Sequence, residues 1–176
     1  MESSRTSPAV TLRIMNPVEF AAFDELSHRD YIADLVRASG MTLEEARKKA
    51  KRDFAAVIAR GPDSEKHKVF VVEASNADDS AGDDHLVSVG ALWLGSTNAW
   101  QSAFIYDIRI SDEFQGRGYG RATLMEAERV AASLGAGSLA LHVFGDNTRA
   151  RKLYLASGFE ETNVNMRKRL TPTPDP

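Results

Sequence analysis

Three glycines spaced two residues apart, in Gln115-Gly116-Arg117-Gly118-Tyr119-Gly120-Arg121, are the residues whose types and spacing most directly suggest chemistry. Glycine permits backbone turns that a β-carbon forbids, so successive N–H groups can converge on one concavity. The stretch lies between a strand pattern and a helix pattern, and the N-terminal end of that helix adds partial positive charge. Phosphate is the natural guest, and a plain strand-to-helix turn is the other use of the same residues. Two phosphate loops are excluded by spacing. The P-loop needs a lysine and a hydroxyl after its second glycine, and neither occurs here. The dinucleotide fingerprint G-x-G-x-x-G ends on Arg121 when counted from Gly116 and on Thr123 when counted from Gly118. A pyrophosphate loop of the pattern Q-x-x-G-x-G remains, satisfied by Gln115, Gly118 and Gly120.

The elements that must hold this loop follow from periodicity. Residues up to Pro8 read as a loose arm, and Val10 to Met15 alternates as a half-buried edge strand does. A helical region from Val18 to Arg60 is broken at Ser39-Gly40, and Thr42 with Glu45 forms a capping box for its second half. Lys68–Ala74, Leu86–Leu94 and Ala103–Ser111 are strands by content, the first two joined by a polar loop from Ser75 to His85. A helix from Gly120 to Leu134, a strand from Ser138 to Val143 and a helix from Asn147 to Ser157 follow, the last closed by Gly158. Val164 to Leu170 completes the strands, and Thr171 to Pro176 is a disordered tail behind a single domain of residues 1–170. Helices interleaved with a mostly antiparallel sheet argue for a three-layer α/β or α+β domain.

Composition narrows the class. The 176 residues suit one domain with its own core, and 43% hydrophobic against 27% charged residues is the balance of a globular protein. With no cysteine, disulfides, thiolate metal sites and cysteine nucleophiles are all excluded. A net charge of -3 offers no global attraction for nucleic acid or anionic membrane. The amino terminus MESSRTSPAV lacks the apolar core of a signal peptide, and no apolar run approaches the ~20 residues that span a bilayer. A cytoplasmic location is the expectation.

The segment from Ala103 to Phe159 resembles the GNAT superfamily of acetyl-CoA-dependent N-acetyltransferases. The resemblance rests on AFIYDIRIS, then QGRGYG, then RATLMEAERVAASLG, then LALHVFGDNTRARKLYLASGF, in the family's order. It implies a GNAT-type three-layer fold with helices on both faces and a sheet splayed between its fourth and fifth strands, where the pantetheine arm of the cofactor lies. Carried over by position, the backbone of Ile108, Arg109 and Ile110 pairs with pantetheine amides. The loop residues Gln115, Gly116, Arg117, Gly118, Tyr119, Gly120 and Arg121 hold the pyrophosphate, and Asn147 contacts the pantetheine region. Tyr154 sits near the thioester sulfur, as the acid that protonates the departing thiolate. The implied activity is direct transfer of acetyl from acetyl-CoA to an amine of a small molecule or peptide, without a metal, and a homodimer is among the implied assemblies.

Each candidate has a plainer reading. Tyr154 lies between Leu153 and Leu155 and can be packed; Asn147 is a preferred helix N-cap; Arg117 and Arg121 can be solvated. His142 on the fifth strand is either the general base or a hydrogen-bonded strand histidine. Alternation puts Phe104, Tyr106, Ile108 and Ile110 on one face and Ile105, Asp107 and Arg109 on the other. Asp107 is then a base or the partner of Arg109, and a water relay needs neither. The run Arg47–Arg52 reads as a solvated helix face with Glu44–Lys48 and Glu45–Lys49 pairs. The acidic stretch Asp78–Asp84 lacks calcium-loop spacing, and His28, His67 and His85 lack metal-ligand spacing. Trp93 and Trp100 are acceptor-site or core residues. A non-catalytic acyl-CoA sensor and a nucleotide-binding regulator are the competing functions, the second predicting binding of NAD or ATP instead of coenzyme A.

Overall fold

In the computed structural model residues 8–57, 61–75, 86–96 and 101–168 are described. The chain opens with β1 (Thr11–Ile14), α1 (Pro17–Ser39) and α2 (Leu43–Val57). Strands β2 (His67–Ser75), β3 (Leu86–Gly95) and β4 (Ser102–Ile110) follow. A 3-10 turn at Asp112–Phe114 leads to α3 (Tyr119–Ser133), β5 (Ser138–Leu141) and α4 (Thr148–Ala156).

Local chemistry sets these boundaries. Asn16 caps α1 by accepting the N–H groups of Val18 and Glu19 at 2.9 Å, and Glu19 returns the bond to the Asn16 N–H at 2.8 Å. Pro17 sits in the first turn, where its missing N–H costs nothing. Gly40 ends α1 in the left-handed region at φ 67°. The expected box at the start of α2 is present: Thr42 N donates to Glu45 Oε2 at 2.8 Å, and Glu45 N donates to Thr42 Oγ1 at 3.3 Å. Because Glu45 is held there, Lys49 pairs with Asp53 at 2.7 Å instead of with Glu45, while Glu44–Lys48 forms as expected at 2.7 Å.

The strands lie side by side in chain order, antiparallel up to the final pair, β4 with β5, which is parallel. The sheet is apolar on both faces. Phe70, Val72, Leu92 and Leu94 face α3, which presents Leu124, Ala127 and Ala131 at helical spacing. Val69, Val71, Ala91 and Trp93 face α1, which presents Phe20 and Phe23. Leu153 and Tyr154 of α4 pack on the α3 side. Among the described residues no helix is long and apolar enough to cross a membrane.

Three expectations change. The pairing of β3 with β4 steps from Trp93↔Asp107 to Leu94↔Ile105, so Tyr106 is an extra residue in a β-bulge. Strict alternation therefore fails: Ile105 and Ile108 pack on the α3 side, while Tyr106 stacks on Trp93 on the other face. Second, β5 ends at Leu141, so His142 lies beyond the strand. Third, residues 164–168 form no strand; Arg167 instead donates to the Ser39 and Ala38 carbonyls at the end of α1. The arm before Pro8, the end of the first helical region at 58–60, the loop at 76–85, Trp100 and residues 169–176 lie outside the described residues.

At Gly90 the backbone of β4 leaves no room for a side chain on β3. A β-carbon there would stand 2.1 Å from the Arg109 carbonyl oxygen, which belongs to backbone and cannot step aside. Gly90→Ala is expected to lower the stability by at least about 1–3 kcal/mol, read as a reduced denaturation midpoint in urea. An unchanged midpoint would show that the strands separate there without cost.

Candidate active site

The site begins where β4 loses its partner. β5 pairs with β4 from Ser102↔Ser138 to Ile105↔Leu141, whereas β3 continues alongside β4 as far as Ile110. One edge of β4 over 106–110 is thus open, which is the splay expected between the fourth and fifth strands. Ile108, Arg109 and Ile110 all border the resulting cleft.

The glycine loop closes one end of that cleft. Gly116 and Gly118 take φ 77° and 93°, the left-handed region, so the chain reverses tightly before α3 begins at Tyr119. Gly118 occupies the N-cap position of α3 without a capping side chain, and the first turn carries no acid. Its leading N–H groups are therefore directed at the cleft unneutralised. The Gln115 side chain donates to the Ile110 carbonyl at 2.9 Å and to Asp112 at 2.8 Å, and accepts from Arg149 of α4. Gly120 brings α3 close to α4; a β-carbon there would meet Leu153 at 3.1 Å.

A cavity of about 460 Å³ results, bordered by Gln115, Gly116, Gly118, Gly120, Arg121 and Asn147 among others. Arg117 and Tyr119, expected with them, are not part of its lining. The Arg117 guanidinium lies over the Phe114 ring at 5.9 Å, and Tyr119 packs edge-on to the same ring at 5.9 Å. Asn147 caps α4 by accepting the Ala150 N–H at 3.1 Å, so its plainer reading holds while its position also borders the cavity.

A second cavity of about 480 Å³ adjoins the first, and Ile108, Arg109, Asn147 and Tyr154 border both. Tyr154 is held at this junction by the end of α4. The Phe159 N–H bonds to the Tyr154 carbonyl at 3.0 Å and the Gly158 N–H to Leu155 at 3.1 Å, a Schellman closure permitted by Gly158 at φ 89°. The same closure brings the Phe159 ring to 5.8 Å from the Tyr154 ring. Burial, with a smaller contribution from the Asp107 charge, pushes the Tyr154 phenol up to about 12.

Asp107 is engaged as the partner reading expects. Ser27 Oγ donates to Asp107 Oδ2 at 2.5 Å, and Arg109 pairs with the same carboxylate. Arg109 also reaches Asp30 at 3.1 Å and Ser27 at 3.0 Å, and lies 5.5 Å from the Phe23 ring centre. This network ties α1 to β4 across the second cavity. His142, exposed and edge-on to Phe144 at 5.3 Å, borders the second cavity. Trp93 serves both roles, as a core residue that also lines that cavity.

The α1 and α2 residues of the second cavity, Ser27, Asp30, Tyr31, Asp34, Asp53 and Phe54, are ones that sequence reasoning missed. The available signal was a polar stripe at i, i+3, i+4 and i+7 that follows the apolar Phe20 and Phe23 on the inner face of α1. His28 stacks on Phe54 at 4.0 Å, and His67 lies near Trp93 and Tyr106; His85 and Asp78–Asp84 lie outside the described residues. Among the described residues no three histidine or acidic groups cluster as a metal site would.

Comparison with known proteins agrees with this fold. Residues 42–159 match the acetyltransferase (GNAT) family. The chain is 31% identical over 163 residues to the uncharacterized N-acetyltransferase YycN of Bacillus subtilis, covering 92% of this chain and 99% of that one. It is 32% identical over 164 residues to YdgE of the same organism, again covering 92% and 99%. The crystal structure of YycN superposes with a TM-score of 0.79, over 93% of this chain and 100% of that one. A complex of the aminoglycoside N-acetyltransferase AAC(6')-Iy with CoA shares the fold, at TM-score 0.56 and 16% identity over 94% and 97% of the two chains.

Proposed function

The chain belongs to the GNAT family of acetyltransferases, and we propose that it transfers acetyl from acetyl-CoA to a primary amine of a small molecule or peptide. The observation that carries this reading is the meeting of two cavities at Tyr154. One has the features a pyrophosphate and a pantetheine arm require, namely an uncapped helix N-terminus, left-handed glycines and an open strand edge. The other has room for an acceptor. The complex of AAC(6')-Iy with CoA supports the same donor.

The donor supplies an acyl group already activated as a thioester. The amine nitrogen attacks the carbonyl carbon, forming the C–N bond as the C–S bond breaks. Tyr154, kept protonated by burial, gives its proton to the departing sulfur. The exposed His142 imidazole, bordering the acceptor cavity, takes the proton lost by the amine. Asp107 is poorly suited to that task, since Ser27 and Arg109 already occupy its oxygens. The loop backbone and α3 terminus hold the donor, and positioning the two reactants supplies the larger share of acceleration.

Titration of the protein with acetyl-CoA in a calorimeter, followed by label transfer from acetyl-labelled donor to an amine panel, tests this reading. Saturable binding with labelled amide as product is expected. Binding of NAD or ATP with indifference to coenzyme A would overturn it, and donor binding without transfer to any amine would leave a sensor.

A further inference from the structure

The inner stripe of α1 changes character along its length. Phe20 and Phe23 pack on the sheet, whereas Ser27, Asp30, Tyr31 and Asp34, at i, i+3, i+4 and i+7, line the acceptor cavity. Asp30 and Asp34 are like charges four residues apart, an arrangement that destabilises a helix unless a cation relieves it. Asp53 from α2 and Asp107 from β4 bring the carboxylates lining the cavity to four, against one guanidinium, Arg109. The further cations that pair with them, Arg29 at 3.3 Å from Asp30, Lys49 at 2.7 Å from Asp53 and Arg37 at 2.5 Å from Asp34, are not part of the lining.

Between these carboxylates the wall is aromatic. Trp93 stacks on Tyr106 at 4.8 Å, and Tyr31 lies 5.9 Å from Phe54, offering π-faces that attract cations. The Tyr31 hydroxyl donates to Asp53 at 2.8 Å, which fixes that carboxylate beside the rings. Trp93, only 3% exposed, has a buried indole N–H without an acceptor among the described residues.

We propose that the acceptor is a diamine or polyamine, whose reacting amine lies by Tyr154 while a second ammonium sits among Asp30, Asp34, Asp53 and the aromatic wall. This assignment rests on the acetyl-transfer reading and names its substrate class. Asp30 and Asp34 are then specificity residues: they select the second charge and take no part in the bond changes.

The test compares acetyl transfer to 1,4-diaminobutane, butylamine and 4-aminobutanoate, three amines of equal chain length. The kcat/KM for the diamine should exceed that for butylamine by roughly tenfold or more, with the amino acid the poorest. Asp34→Asn and Asp30→Asn, both partly exposed and sterically conservative, should each shrink that ratio, with the loss falling on the KM of the diamine. Glu44→Gln, on the outer face of α2, should leave the ratio as it is. Equal rates for diamine and monoamine would overturn this proposal and leave acetyl transfer standing. Absence of transfer to every amine would overturn the reading beneath it. In that event calorimetric titration with 1,4-diaminobutane still decides the cavity: binding that Asp34→Asn weakens supports the assignment, and binding no tighter than butylamine's overturns it.

Discussion

Replacing Tyr154 with phenylalanine is expected to lower acetyl-transfer turnover roughly 10²–10⁴-fold while acetyl-CoA affinity stays within a factor of about two. The ring is retained, so its packing on the α3 side and its contact with Phe159 persist. What is lost is the hydroxyl at the junction of the two cavities. The phenol, pushed up to about 12, remains protonated at every pH where the protein is ordinarily handled. The parent should therefore show no alkaline loss of turnover from this group below about pH 11. The sign for stability is the same: a raised phenol favours the folded state below the ordinary tyrosine value near 10, and that contribution fades as pH rises from 10 toward 12. Wild-type turnover in the variant would remove the tyrosine from the chemistry. Equal loss of turnover and acetyl-CoA binding would assign it to donor binding instead.

Gly118→Glu is expected to weaken acetyl-CoA binding by about 100-fold or more, because two penalties fall on one residue. The backbone there has φ 93°, and a β-carbon would stand 3.0 Å from Pro8 Cδ. A carboxylate would also bring negative charge to the uncapped start of α3, where the donor's phosphates need positive potential. Gly118→Ala separates the two, carrying the backbone strain without the charge. A calorimetric titration in which alanine weakens binding modestly and glutamate abolishes it would assign the loop to anion recognition. Equal, small effects would mean that the loop only turns the chain.

The glycine loop and α4 were legible because their signals are local. Alternating glycines ahead of a helix pattern require left-handed backbone, and Gly158 after an apolar run requires a helix end wherever the segment lies in space. The capping box at Thr42 was readable for the same reason. The bulge at Tyr106 was not, since an extra residue exists only relative to a partner strand and leaves no mark on the alternation of AFIYDIRI. It reassigned Ile105 and Tyr106 to opposite faces from those expected. The acidic stripe on α1 was invisible as a site because Asp30 and Asp34 look like any solvated pair until β4 is placed across from them. The Glu45–Lys49 pair failed through competition, as the cap claimed the glutamate first. Residues 164–168 have strand-like content, yet Arg167 anchors them to the end of α1.

The open edge of β4 over 106–110 also bears on the heat of binding. Apart from the Ile110 carbonyl, which the Gln115 side chain occupies, its outward peptide groups meet only water until an occupant arrives, so each hydrogen bond made to a ligand's amides replaces one already made to solvent. The exchange contributes direction more than energy: it fixes the depth and orientation of an extended chain while adding little net enthalpy. Affinity must come from the charged end at α3, and ligands shortened at that end should lose far more than ligands shortened along the strand.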